Sequence, residues 1–385
     1  MSEDSPRVRH VVGCMTGTSL DGLDAALVRI TGTGLDMTAE FVGMVSAPLP
    51  DALRTTLLSM ANGESHPPIE FMRAARYLGV VHAEAVAQLL STHASDLKPD
   101  FIVAHGQTIW HAPPDRLSWQ LFDPWPIVRA LQLPVCYDLR QADLVAGGEG
   151  APITPITDWV MYRKPGKKRC VLNLGGIANI TVLPSNGMIT DVMAEDVGPC
   201  NLLIDQAVRL LHPHESMDRD GKFSRDISTI STVFYEIRKA PFFSRPRPRT
   251  TGREDFDMEW LRDVARKSEA NADCWVASVV EAAARLALAE LGLEDGDELI
   301  LAGGGTRNPT LLKNIRDRAT RWGDRQVAVG TSDEFGIPCE AREAMGFAVL
   351  GALSQDGVPI TLPQVTGAET PGVAGVWAYP DGSSA

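Results

Sequence analysis

Two segments about half a chain apart share one pattern, and that repetition limits what the chain can fold into. Val8 to Ile30 reads as strand, glycine turn, strand: VRHVVGCM, then Thr16-Gly17-Thr18-Ser19-Leu20-Asp21-Gly22, then LDAALVRI. Lys168 to Leu183 repeats it with RCVLNL, Gly175-Gly176 and IANITVL. Apolar and β-branched runs flanking a short glycine turn are the signature of a hairpin. Two such hairpins predict two similar domains, each opening with a glycine turn. A chain of 385 residues has room for both.

The stretches after each hairpin are mixed. Helical spacing of apolar residues predicts helices over 71–90, 201–211, 272–291, 308–321 and 340–353. Short buried strands are expected at 99–104 (PDFIVA), 133–137 (LPVCY) and 298–302 (ELILA). Alternating strands and helices argue for an α/β fold, and the hairpins make its sheets mixed. Pro241 to Arg253 is rich in Pro and Arg, with little apolar periodicity, and reads as an exposed loop.

Composition excludes several classes. Hydrophobic residues make up 44% and charged residues 22%, which suits a packed core rather than disorder. The net charge of −13 repels nucleic acid and anionic lipid. The one dense basic run, Arg245-Pro246-Arg247-Pro248-Arg249, is short. No stretch reaches the ~20 apolar residues of a membrane helix. The polar start, Met1 to His10, has no apolar core of a signal peptide, so a cytoplasmic location is expected. Six scattered cysteines without a CxxC pair give no zinc or disulfide pattern.

Several polar strings carry candidate chemistry. In Thr16 to Asp24, glycines let backbone amides approach an anion, and Thr18 and Ser19 add hydroxyl donors. A plain hairpin turn accounts for the same residues equally well. Asp21 and Asp24 make sense beside phosphate only if a divalent cation or a sugar hydroxyl intervenes. Asn173 to Ile180, with Gly175 and Gly176, offers either an ordinary turn or a second jaw of a phosphate clamp. Asp196 precedes Gly198-Pro199-Cys200-Asn201, a turn opening a helix, where it can serve as a general base or simply as a cap. Gly303-Gly304-Gly305 joins a strand to a helix. One glycine suffices for such a turn, so three favour close approach of a ring or ribose. Asn308-Pro309 then reads as N-cap and first helical residue. His105-Gly106-Gln107-Thr108, Asp138-Leu139-Arg140 and Gly147-Gly148-Glu149-Gly150-Ala151-Pro152 are polar islands at strand ends, where α/β proteins bind ligands. There is no P-loop, GxGxxG, HExxH or GxSxG.

Taken in order, MTGTSLDGLDAALV, AHGQTIWH, a DxR followed by GGxGAPxxP, NLGGIANIT, DVGPCN, TTGREDF, AGGGTRNP and a late EAMGFA resemble the anhydro-N-acetylmuramic acid kinase family. The resemblance runs from about Val11 to Leu362 and includes VTGA near the end. It implies the actin-like, Hsp70-like and sugar-kinase fold, two related domains with ATP in the cleft. The first domain is expected over 1–150, completed by 345–385, and the second over 151–344. By the same resemblance, Gly17, Thr18, Ser19, Leu20, Asp21, Gly22, Leu23 and Asp24 form the ATP-phosphate loop. Asp196 activates a water, Glu343 and Asp196 attend Mg²⁺, and Gly303, Gly304, Gly305 and Asn308 contact adenosine. Gly175 and Gly176 join the cofactor set. His105, Gln107, Asp138, Arg140 and Glu149 line the sugar pocket. The family usually has GPGN where this chain has Gly198-Pro199-Cys200-Asn201, Gln in place of Glu149, and TxQIG where Ser118-Trp119-Gln120-Leu121-Phe122 stands.

The implied reaction is ATP-dependent phosphorylation of O6 of a 1,6-anhydro sugar, with water attacking the anomeric carbon. The muramic sugar is the first expectation. A levoglucosan-type kinase of an uncharged anhydro-sugar is an alternative, as is an actin-fold nucleotide-dependent binding protein without sugar chemistry. The expected partner is a small sugar, with no nucleic acid and no membrane, and a homodimer is left open.

Overall fold

The computed structural model describes residues 6–17, 20, 22–93, 97–289, 291–321 and 326–382. In chain order the elements begin with β1 (Val8–Thr16), β2 (Gly22–Thr31), β3 (Thr38–Pro48), α1 (Asp51–Ala61), α2 (Pro68–His93) and β4 (Phe101–Ala104). A hairpin of β5 (Gln107–Ala112) and β6 (Leu117–Leu121) precedes α3 (Trp125–Leu131), β7 (Val135–Tyr137), α4 (Gln141–Val145) and α5 (Pro155–Tyr162). Next come β8 (Arg169–Leu174), β9 (Ile177–Leu183), β10 (Met193–Pro199), α6 (Asn201–Leu211), α7 (Ser231–Ile237), α8 (Met258–Ser268) and α9 (Ala272–Leu288). The chain continues through β11 (Glu298–Ala302), α10 (Pro309–Arg321), β12 (Ala328–Thr331), α11 (Arg342–Gln355) and β13 (Val376–Ala378).

The chain divides into two compact units, 1–161 with 336–385, and 162–335. These boundaries differ from the expected ones at 150 and 344. α5 belongs almost wholly to the first unit, where buried Asp158 accepts a hydrogen bond from Arg342 at the start of α11.

The first unit's sheet runs β13-β7-β4-β1-β2-β3, and the second unit's runs β10-β9-β8-β11-β12. In each unit the opening three strands form an antiparallel meander, β1-β2-β3 and β8-β9-β10. Two parallel strands then add on the other side of the first, β4 and β7 in one unit and β11 and β12 in the other. The repeated hairpin is thus the visible part of a repeated five-strand order. That order, present twice, agrees with the two related domains of mixed sheets that the resemblance implies.

Each unit has its own core. Val12, Leu23, Leu27, Leu57, Leu78 and Ile102 are buried in the first. Leu172, Leu203, Phe242, Phe256, Val279 and Leu299 are buried in the second. Strand residues alternate or run continuously apolar because helices cover the sheets. The helices start where the sequence places polar caps. Asp257 caps α8 through the Trp260 N–H at 2.7 Å, and Asn271 caps α9 through the Cys274 N–H at 3.1 Å.

The segment 241–253 departs from its expected exposure. Phe242, Phe243 and Arg249 are buried, and the Arg249 guanidinium lies 4.7 Å from the Phe242 ring centroid. Its apolar pair at Phe242-Phe243 outweighs the local Pro and Arg content. Among the described residues, no helix is long and apolar enough to cross a membrane.

Candidate functional site

In the first unit the turn after β1 is only partly a candidate anion loop. Thr18, Ser19 and Asp21 lie outside the described residues. Leu20 and Leu23 are buried in the core, so these two expected cofactor positions offer backbone alone. Leu20 has φ 56 and donates its N–H to the Gly17 carbonyl at 3.1 Å. A Cβ on Gly22 would sit 3.0 Å from the Ala47 carbonyl oxygen, so strand packing explains that glycine. Asp24 accepts a hydrogen bond from the Ser46 hydroxyl at 2.5 Å.

Of the expected sugar-side residues, His105 and Arg140 are joined by a hydrogen bond, while Gln107, Asp138 and Glu149 make no side-chain hydrogen bond to either among the described residues. His105 is buried, with Nδ1 2.8 Å from the Gly106 carbonyl oxygen and Nε2 3.0 Å from Arg140 Nε. An arginine can only donate, so Nε2 accepts and Nδ1 carries the proton. Burial, then the Arg140 charge, push the His105 pKa down to about 3. Arg140 Nη1 donates to the Gly150 carbonyl at 2.7 Å. Burial lowers the Arg140 pKa to about 10, opposed by the charges of Glu343 and Asp143, and it stays a cation at neutral pH. Gln107 is buried, and its Oε1 has no partner among the described residues. Asp138, with φ 55, accepts the Gln141 N–H, and burial raises its pKa.

Glu149 is exposed. Its side chain does not take Arg140, which is engaged by His105 and Gly150 instead. Glu343 is exposed in the first turn of α11, within electrostatic reach of Arg140. Asp143 and Thr366 organise the Gly147–Gly150 loop from below; Thr366 lies in the VTGA string, whereas nothing in the sequence singles out Asp143. The Asp143 carboxylate accepts the Gly150 N–H and the Thr366 hydroxyl, each at 2.7 Å.

In the second unit Asp196 lies on β10 at a β-bulge, where the register shifts between Asp196 and Gly198. A bulge redirects a side chain out of the pleat alternation. Thr251 N–H donates to Asp196 Oδ2 at 2.9 Å, and Asp196 N–H donates to the Arg249 carbonyl at 3.0 Å. The TTGRE string therefore holds the carboxylate, a role that no local pattern reveals. Neighbouring Glu195 pairs with Arg247, and Arg245 pairs with Asp255 at 2.8 Å. With Arg249 buried, the basic run is taken up by internal contacts.

Two glycine turns, Gly175-Gly176 and Gly303–Gly305, converge on the start of α6. Gly175 O accepts the Asn201 N–H at 3.0 Å, and Gly176 O accepts the Cys200 and Leu202 N–H groups at 2.9 and 3.1 Å. These three amides are engaged, so the start of α6 offers none of them to an anion. The Cys200 thiol is buried and pushed up to about 12 by burial, which leaves it inert. In the glycine run, a Cβ on Gly303 would lie 2.4 Å from Asn173 Oδ1, and one on Gly305 would lie 2.7 Å from Leu174 Cβ. Gly304 is exposed and meets nothing closer than Asn201 Nδ2 at 4.0 Å. Close packing explains the outer two glycines, and Gly304 alone is open to a ligand. The Asn308 side chain is used at both ends: Oδ1 caps α10 through Thr310 and Leu311, and Nδ2 donates to Asp218. It is a structural cap. A pocket of about 490 Å³ opens beside α10, lined among others by Asp226, Thr229, Glu281, Thr310 and Lys313.

Among the described residues no group of three His, Cys, Asp or Glu could hold a metal ion. Mg²⁺ with a nucleotide needs no such cluster, because one or two carboxylates suffice beside phosphates and waters. Asp196 in the second unit and exposed Glu343 in the first are each a carboxylate of the kind such a site uses.

The model of the anhydro-N-acetylmuramic acid kinase family matches residues 9–380. A protein of that name from Prochlorococcus marinus is 35% identical, covering 96% of this chain and all of its own. One from Salinibacter ruber is 35% identical over 94% of each chain. Among solved structures, a ROK family glucokinase from Streptomyces griseus in complex with glucose and AMPPNP has a TM-score of 0.37 at 14% identity, covering 89% of this chain and 98% of its own. Matched over nearly its whole length, this chain, with its duplicated α/β sheets, belongs to the anhydro-N-acetylmuramic acid kinase family.

Proposed function

We propose that this chain, with ATP and Mg²⁺, phosphorylates O6 of 1,6-anhydro-N-acetylmuramic acid while water opens the anhydro ring, giving the sugar 6-phosphate for cell-wall recycling. The observation that carries the reading is Asp196, a carboxylate set at a bulge and oriented by the Thr251 amide. In this reading Asp196 takes a proton from water as the water oxygen bonds to the anomeric carbon. The bond from that carbon to O6 breaks, and O6 takes the γ-phosphoryl group. Asp196 and Glu343 are the residues that would hold Mg²⁺, which would neutralise phosphate charge when bound with the nucleotide.

Arg140, a cation held by His105 and Gly150, offers donors to sugar oxygens or to the lactyl carboxylate. Neutral His105 and buried Gln107 complete a polar lining. The Gly17 to Asp24 turn and the Gly175-Gly176 turn are assigned to the phosphates. Gly304 and the pocket beside α10 are assigned to adenosine. The same reading places the protein in the cytoplasm, with no nucleic acid or membrane as partner.

The test is ATP consumption by the purified chain against anhydro-N-acetylmuramic acid, levoglucosan, N-acetylmuramic acid and glucose, with product mass spectrometry in ¹⁸O-water. The expected result is turnover of the anhydro-muramic sugar with label at the anomeric oxygen. Unlabelled product sinks ring hydrolysis, and preference for glucose sinks the substrate class.

A further inference from the structure

A continuous chain of hydrogen bonds runs through the first unit. The Thr366 hydroxyl donates to Asp143 Oδ1, and the Gly150 N–H donates to Asp143 Oδ2, each at 2.7 Å. The carbonyl of the same Gly150 accepts from Arg140 Nη1 at 2.7 Å. Arg140 Nε donates to His105 Nε2, and His105 Nδ1 donates to the Gly106 carbonyl. That carbonyl also accepts the Thr16 hydroxyl at 2.7 Å, at the last residue of β1. The loop over Asp143 has no slack: a Cβ on Gly148 would lie 2.2 Å from Asp143 Oδ2. The backbone repeats the link, since Glu149 N–H donates to the Thr366 carbonyl and Glu369 N–H to the Ala146 carbonyl.

Asp143 is fully buried and makes no direct hydrogen bond to Arg140 among the described residues. Its two acceptors are both committed to the loop and to Thr366. Arg140, by contrast, has Nε and Nη1 engaged, and no partner for Nη2 is found among the described residues. The Gly150 carbonyl thus decides where the free end of the guanidinium points, and Asp143 decides where that carbonyl sits.

We propose that Asp143 is a positioning residue for the anhydro-sugar: with Thr366 it fixes the Gly150 carbonyl, which sets Arg140 and, through Arg140, the Nδ1–H tautomer of His105. This rests on the assignment of Arg140 and His105 to the sugar side. It makes the C-terminal segment a component of substrate recognition, although that segment supplies no group to the sugar.

The experiment uses the full chain with Thr366→Val, Thr366→Ser and Asp143→Asn, each checked for folding by circular dichroism. Thr366→Val removes one hydroxyl and leaves the Gly150 bond to Asp143 in place, so it guards against a misfolded Asp143→Asn. We expect the KM for the sugar to rise about tenfold in Asp143→Asn and by a smaller factor in Thr366→Val. The KM for ATP stays at the wild-type value, and Thr366→Ser restores the sugar KM. ¹⁵N NMR of the His105 ring then reads the tautomer without reference to activity: Nδ1–H in wild type, a mixture in Asp143→Asn. An unchanged sugar KM in the folded variants, equal rises in both KM values, or a wild-type tautomer in folded Asp143→Asn overturns the proposal. If the wild-type chain turns over no anhydro-sugar, the functional reading falls by itself, and the tautomer decides whether Asp143 positions His105.

Discussion

Asp196 shows how much one residue depends on its setting. Its carboxylate is held by a backbone amide, so Asp196→Asn keeps the shape and removes the base. The expected result is a loss of ~10²–10⁴-fold in kcat with ATP affinity little changed, read by steady-state kinetics and calorimetry. Near-normal turnover removes Asp196 from the mechanism. The glycine run separates packing from binding in the same way. Gly303→Ala and Gly305→Ala place a Cβ 2.4 and 2.7 Å from neighbours, so both lower the thermal midpoint. Gly304→Ala meets open space, so it keeps the midpoint and raises the KM for ATP. A normal ATP KM in Gly304→Ala takes adenosine away from this turn. Buried histidines set the acid limit. His105 and His82 are lowered by burial to about 3 and about 4, against an unfolded value of 6.5. Between those values each of these histidines binds a proton more readily in the unfolded chain than in the native one, so their contribution to stability is complete above pH 6.5 and is lost as pH drops toward 4 and 3. His82→Leu removes one of the two groups, and a series of thermal midpoints against pH is expected to show a shallower acid slope.

At the scale of elements, the same short polar strings serve two purposes, and the balance between them is not visible in the sequence. Gly175-Gly176 reads as a turn or a phosphate jaw, and its carbonyls prove to cap α6. Asn308 reads as a cap and, by resemblance, as an adenosine contact, and both ends of its side chain are bound internally. α6, β11 and α10 have the bounds that periodicity and capping predict, because those signals are local. β3, β10 and the β5–β6 hairpin are not marked by such signals, since strand pairing rather than local pattern defines them. α11 gives the strongest packing test. Its backbone approaches β1 so closely that a Cβ on Gly13 would sit 1.9 Å from the Ala344 carbonyl oxygen. Backbone cannot step aside as a side chain does, so Gly13→Ala is expected to cost about 3 kcal/mol or more. Chemical denaturation measures it, and a wild-type midpoint contradicts the packing described.

For the whole molecule, continuity of the chain matters more than the similarity of the two sheets. The second unit is one continuous segment, 162–335, with its own five-stranded sheet and core. The first needs 336–385, because α11 packs on β1, β2 and β4 and β13 pairs with β7. Residues 162–335 expressed alone are therefore expected to give a dispersed amide NMR spectrum. Residues 1–161 alone are expected to stay unfolded until 336–385 is supplied. A folded 1–161 fragment contradicts this. The duplicated hairpins, the α/β class, the acidic net charge and the order of strings that marks the family were all legible in the residues themselves. Each is carried by local periodicity, composition or a short motif, and none needs a distant partner to be recognised. Only the tertiary structure decided which candidate groups are free to act. It buried Leu20 and Leu23, engaged the α6 amides and Asn308, gave Asp196 its Thr251 partner, and tied Thr366 through Asp143 to Arg140. Those outcomes depend on atoms brought together from residues far apart in the chain, and hydrogen bonds and van der Waals contacts act only over a few ångströms.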